Sequence, residues 1–131
     1  MKKPRFLVVD DEPINLSIIK AILEAEGHEV LTVPSGLEAL KHCRAGDCAF
    51  DLILLDVHMP HLNGLETALC LRGIEETRSI PIIFVSARAS QADQEAGLAA
   101  GGQFYLTKPF RRQDLLDAVA KFLPGSNPTA S

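Results

Sequence analysis

The sequence has no block of lysine and arginine, no apolar run near the roughly 18 residues of a membrane span, and no hydrophobic signal core near its amino end. The first lack argues against nucleic acid as a direct partner, because such a surface needs a basic stripe to neutralise phosphates. Here 13 Lys and Arg are scattered among 17 Asp and Glu, for a net charge of −4. The other two lead to the expectation of a soluble, cytoplasmic protein with no membrane role. Cysteine is scarce too. Cys43, Cys48 and Cys70 are odd in number and lack metal-ligand spacing, which fits free thiols acting as small core hydrophobes in a reducing compartment. No internal repeat is present, and low complexity is confined to residues 125–131, expected to be a flexible tail or linker stub. Residues 1–124 remain as one domain, long enough to bury roughly two thirds of its unfolded surface.

What the chain does have is a regular alternation. Short apolar runs at Arg5 to Val9, Glu29 to Val33, Leu52 to Asp56, Ile82 to Ser86 and Phe104 to Thr107 read as strands. Between the first two, Ile14, Ile18, Ile22 and Ala25, flanked by Leu16, Ile19 and Leu23, repeat at helical spacing, and Gly27 supplies a left-handed cap. Ser35 is an N-cap for a second helix running to about Cys43 and stopped at Gly46. A third helix follows Asn63-Gly64 with Leu65, Ala68, Leu69 and Leu71. Ser90 and Asp93 approximate a capping box for a fourth, which passes Leu98 and ends at Gly101-Gly102. The fifth is expected from about Arg112 to Leu123, with Leu115, Leu116, Val119 and Phe122 on one face.

Strict alternation of strand and helix implies parallel strands with right-handed crossovers and helices on both faces. The expected fold is therefore α/β: a (βα)5 doubly wound, five-stranded parallel sheet of order 2-1-3-4-5, a flavodoxin-like three-layer sandwich. In that order the first and third strands are neighbours at the topological switch point, where ligands bind beyond the carboxyl ends of strands. The first run ends in Asp10-Asp11 and the third in Asp56. Two unit charges 4 Å apart at an effective dielectric near 20 interact by about 4 kcal/mol, so three acids in one cleft must hold protons or recruit a cation. A hard divalent ion, Mg2+ (or Mn2+), suits such a site, because it uses one or two carboxylates and fills its other positions with water and phosphate oxygens. Ser86-Ala87 closes the fourth run and Lys108-Pro109-Phe110 the fifth. A hydroxyl and an ammonium thus join the acids, completing the positioning and charge-neutralising groups that phosphoryl transfer requires.

In FLVVDDEP, LILLDVHMPHLNG, FVSA and YLTKPF the chain resembles the receiver domains of two-component response regulators, the CheY-like family, from Arg5 to about Leu123. That resemblance implies that Asp56 is the phosphoacceptor, taking a phosphoryl group from a histidine of a sensor histidine kinase or His-containing phosphotransfer protein. It implies that Asp11, Asp56 and the backbone carbonyl of His58 ligate the metal, with Asp10 acting through a metal-bound water. Lys108 would pair with a phosphoryl oxygen, and the backbone N–H groups of His58 and Ala87 would donate to the others. The Lys108-Pro109 bond is expected to be cis. Ser86 and Tyr105 would be the switch: the hydroxyl moves to the phosphoryl group and Tyr105 rotates inward from solvent. This couples the site to the face of the fourth helix, fifth strand and fifth helix. That face would serve a downstream effector domain or protein, or pair two copies as a homodimer.

Taken singly, these residues have plainer readings. Asp10 or Asp11 serves as a helix cap, Ser86 as an N-cap, Lys108 as a solvated charge and Tyr105 as a packing residue. His58 and His61 invite a transition-metal reading, which no accompanying cluster supports. His58 and Arg88 occupy positions that would flank the water attacking an acyl phosphate and tune its lifetime. Phe104 is either a protein contact or core. A different class of function, a Mg-dependent aspartyl-phosphate phosphatase, would need a second acid two residues after the nucleophile, where His58 stands, and a cap domain. A flavodoxin-type binding module would need a phosphate loop after the first strand, where Asp10-Asp11-Glu12-Pro13 would repel an anion. The chain is expected to be a stand-alone receiver or, the preferred reading, an amino-terminal receiver cut from its output domain, with no enzymatic product beyond its own phosphorylation and dephosphorylation.

Overall fold

The computed structural model describes residues 3–123; the tail expected at 125–131 lies outside them. Five strands, β1 (Arg5–Val9), β2 (Glu29–Val33), β3 (Leu52–Asp56), β4 (Ile82–Ser86) and β5 (Phe104–Thr107), form one parallel sheet in the order β2-β1-β3-β4-β5. The helices are α1 (Pro13–Ala25), α2 (Gly36–Arg44), α3 (Gly64–Arg72), α4 (Gln91–Ala99) and α5 (Arg112–Ala120), with a short 3-10 turn at Glu75–Thr77. Side chains alternate across a strand, and both faces of this sheet are covered. Leu7, Val9, Ile53, Leu55, Ile82 and Phe84 meet Ala39, Leu40, Ala68 and Leu71 on one side. Phe6, Val8, Leu52, Leu54, Ile83 and Val85 meet Ile19, Leu23, Leu115 and Val119 on the other. This two-sided burial is why the strands read as uninterrupted apolar runs rather than alternating ones.

Helix starts follow local chemistry. Ser35 Oγ accepts the Glu38 N–H at 3.1 Å, Asn63 and Glu66 form a capping box, and Ser90 with Asp93 forms another. Gly27 and Gly46 take left-handed backbone where α1 and α2 end. One expectation needs correction. The fifth helix stops at Ala120, short of Leu123, although Phe122 and Leu123 still pack on the core. The apolar residues of α1 do not all face inward: Ile14 is 74% exposed and Ile18 49%. Phe104 belongs to the core side of its two readings, with its ring 6.2 Å from that of Phe122 and Lys121 Nζ 4.4 Å above it. All three cysteines are free, and burial pushes the Cys43 thiol up to about 11, which keeps it unreactive.

Candidate functional site

The sheet register brings the two acidic strand ends together. Val9 lies opposite Leu55, so Asp10 and Asp11, one and two residues on, stand beside Asp56. One carboxylate oxygen from each of Asp10, Asp11 and Asp56 lies within 4.8 Å of the others. Asp10 is 2% exposed and Asp56 6%, while Asp11 is open to solvent. Asp10 serves two ends: Oδ1 accepts the Glu12 N–H at 2.9 Å, holding the turn into α1, and Oδ2 accepts from Lys108 Nζ at 3.2 Å. Lys108 Nζ also reaches Asp56 Oδ1 at 3.4 Å. The lysine is brought there by the β5–α5 connection, where Lys108 N–H donates to the Ser86 carbonyl at 2.7 Å and the Lys108-Pro109 peptide is cis.

The electrostatics show an incomplete site. Burial, then repulsion from Asp10 and more weakly from Asp11, pushes the Asp56 carboxyl up to about 6, against the pull of Lys108. Burial pulls the Lys108 ammonium down, but the Asp56 and Asp10 carboxylates outweigh it and hold it above its ordinary value. Three carboxylates face one ammonium, a deficit of two positive charges. An all-oxygen donor set at this spacing and with this charge fits a hard divalent cation.

The β3–α3 loop carries the rest of the rim. Gly64 is required there because a Cβ would collide with the Asp56 carbonyl, and its N–H donates to the Val57 carbonyl at 2.9 Å. Met59 is buried beneath the loop, His58 and His61 are exposed, and His61 holds a φ of 67°. Arg88 and, least of the causes, His58 help to hold the Asp93 carboxyl below its ordinary value, after the hydrogen bonds from Ser90. Ser86 is fully buried, and its Oγ accepts the Arg88 N–H at 3.0 Å. It does not cap α4, since Ser90 does that. Ala87 lies exposed next to it. Tyr105 stands farther off and is half-buried. Its ring packs at α4 and its hydroxyl donates to the Arg88 carbonyl at 2.6 Å, so it is docked on the molecule rather than turned out to solvent. The bonds of Arg88 to Ser86 and Tyr105 were invisible in sequence, because both run through its backbone.

An open parallel sheet with paired acids at its switch point, a third acid on the adjoining strand, and a hydroxyl and lysine beside them defines a class: the aspartate phosphoacceptor domain. The family model for the response regulator receiver domain matches residues 6–120; the chain belongs to that family and has a phosphoacceptor role in two-component signalling. It is 37% identical over 123 residues to the transcriptional regulatory protein CpxR of Escherichia coli, an alignment covering 94% of this chain and 50% of CpxR. This chain thus spans about half the length of that relative. It is 34% identical to the polar-differentiation response regulator DivK of Brucella ovis, over 89% of this chain and 94% of DivK. Its fold matches the receiver domain of the Pseudomonas aeruginosa sensor histidine kinase PA1611, crystallised with a magnesium ion in its active-site cleft. The TM-score is 0.83 at 35% identity, covering 92% of this chain and 98% of that one. Among the described residues no helix is long and apolar enough to cross a membrane.

Proposed function

We propose that Asp56 is the residue phosphorylated, with a histidine of a sensor kinase or phosphotransfer protein as donor. The observation that carries this is the charge deficit around Asp56, a buried carboxylate within reach of Lys108 and facing two further acids. Asp11 and Asp56, with the backbone carbonyl of His58, would hold Mg2+ or Mn2+, and Asp10 completes the acidic set. When bound, the divalent ion supplies the positive charge that lets an anionic phosphoryl group approach these acids. An Asp56 carboxylate oxygen forms the new O–P bond, and the P–N bond to the donor imidazole breaks with its electron pair going to nitrogen, which then takes a proton. Lys108 neutralises charge on a phosphoryl oxygen. The N–H groups of Ala87 and His58 donate to the others, and Ser86 Oγ leaves Arg88 to do the same. The exposed Ile14 and Ile18 support a protein rather than a small molecule as physiological donor. Ile18 lines an apolar cleft of about 310 Å³ together with Asn15, Ile19, Ala87, Lys108, Pro109 and Phe110, which opens beside the reactive lysine. The domain is a switch with no product beyond its own acyl phosphate.

The test is intact-mass analysis after incubation with acetyl phosphate. One acid-stable, base-labile phosphoryl adduct is expected with Mg2+ and none in EDTA, and Asp56→Asn removes it. An adduct that persists in Asp56→Asn refutes the assignment.

A further inference from the structure

Gly97 is the one residue of α4 that the structure buries. Glycine in a helix interior is unfavourable relative to alanine, so its presence asks for a reason, and the reason lies beneath it. A Cβ at position 97 would stand 3.0 Å from Tyr105 Cδ2 and 3.1 Å from Phe84 Cδ2. A Cβ at Gly102 would overlap the Phe84 ring outright. The two glycines are tied to each other, since Gly102 N–H donates to the Gly97 carbonyl at 3.0 Å. Together they open a slot over Phe84 and Tyr105, which are partners in the β4–β5 register with ring centroids 6.4 Å apart. Phe84 is fully buried and pinned from two sides, so it cannot yield. Tyr105 is half-exposed and can.

The seated ring places the Tyr105 hydroxyl on the Arg88 carbonyl at 2.6 Å, while the Arg88 N–H is held by Ser86 at 3.0 Å. One residue of the β4–α4 loop is thereby clamped from the buried site on one side and from α4 and β5 on the other. If Ser86 is recruited to a phosphoryl group, the bond from Tyr105 is what still keeps Ala87 and Arg88 in place.

We propose that Gly97 and Gly102 form a seat that docks Tyr105 before any phosphoryl group arrives, and that Gly97 is a positioning residue that sets the reactivity of the site through Tyr105 and Arg88. The seat itself is independent of the assignment of Asp56; its effect on reactivity rests on that assignment. The chain has one tyrosine and no tryptophan, so its ultraviolet fluorescence reports Tyr105 alone. Gly97→Ala is expected to raise acrylamide quenching of that fluorescence at least twofold in the absence of any phosphodonor. It should also slow acetyl-phosphate labelling about three- to tenfold without weakening Mg2+ binding, because the loop is no longer preorganised. Phe84→Leu makes room for the added methyl, so the double variant Phe84→Leu/Gly97→Ala regains the quenching of Phe84→Leu alone. If Gly97→Ala leaves quenching unchanged and only stabilises the fold, as helix propensity alone dictates, the seat does not exist. An unchanged labelling rate alongside increased quenching overturns the positioning role. Failure of the wild-type protein to label at all is a different result, which overturns the reading of Asp56 and leaves the seat standing.

Discussion

Arg72 and Asp56 sit at opposite ends of the same parallel strands. Arg72, below the amino ends of β4 and β5, donates to the carbonyls of Thr77, Arg78, Ile80 and Gly101 and to Gln103 Oε1, over 2.6 to 3.2 Å. Gln103 Oε1 in turn accepts the Ile82 N–H at 2.8 Å. Burial pulls the Arg72 guanidinium below its ordinary value, yet all its donor groups find acceptors, and no other ion is needed. At the carboxyl ends three acids cluster, and the one lysine beside them pairs with Asp10 and Asp56 but not with Asp11, so negative charge is left uncompensated. A half-buried charge whose donor groups all meet neutral oxygens is a fastener. A buried charge whose partners are too few of the opposite sign is a receptor.

That contrast is broken most forcefully at the fastener. Arg72→Ala leaves several loop carbonyls without donors, and each unsatisfied buried group costs about 1–3 kcal/mol, reduced here by water entry. A loss of roughly 2–4 kcal/mol in urea denaturation is expected, with phosphoryl labelling of the surviving folded protein unchanged at low temperature. A large loss of labelling with little loss of stability would reverse the roles assigned to the two ends.

The sequence made the two ends unequally legible. All five strands have the bounds expected, and the central ones, β1, β3 and β4, are apolar runs ending at or just before Asp10, Asp56 and Ser86 because both of their faces are buried. The acids, Ser86 and Lys108 were legible for the same reason: a residue following a buried parallel strand has one place to go. Arg72 was missed because its partners lie up to 31 residues away and are mostly carbonyls, which carry no sequence signal. Gly97 likewise shows only as a weak point in a helix until Phe84 and Tyr105 are seen beneath it. Ile14 and Ile18 mislead in the opposite way, since helical periodicity cannot separate an apolar residue facing the core from one facing a partner.

A smaller effect sharpens the receptor end. The Asp56 carboxyl is raised from 3.8 to about 6 in the folded protein, so the folded state binds the proton more tightly than the unfolded one. Its favourable contribution is full below the unfolded value and is lost as pH rises through the folded one. Above pH 6 the buried carboxylate opposes folding. In EDTA at pH 7.5, Asp56→Asn should therefore be more stable than the wild type by on the order of 1–2 kcal/mol, and this advantage should shrink toward pH 5. Mg2+ should stabilise the wild type and not the variant, and its affinity should weaken as pH falls below 6, where a proton competes for the same oxygen. A stability difference that is flat from pH 5 to 7.5 would remove the open charge account from the argument.

The smallest effect tests the closed end, where one group is an exception. His28 stacks on Phe6 with centroids 4.8 Å apart, and its Nδ1 is buried without a hydrogen-bond partner. Burial lowers its folded value from 6.5, against the opposing pull of Glu26. Here the sign is opposite to that of Asp56: a depressed base contributes stability above the unfolded value, and that stability is lost as pH falls through the folded one. His28→Phe keeps the stacked ring and removes the orphaned nitrogen, so it should be nearly neutral at pH 8 and stabilising by about 0.5–1 kcal/mol at pH 5. The Asp56→Asn and His28→Phe advantages should therefore run in opposite directions with pH, the first fading on acidification and the second growing. If both move the same way, the His28 ring is not kept neutral by its burial, and the amino end is no better satisfied than the site it was contrasted with.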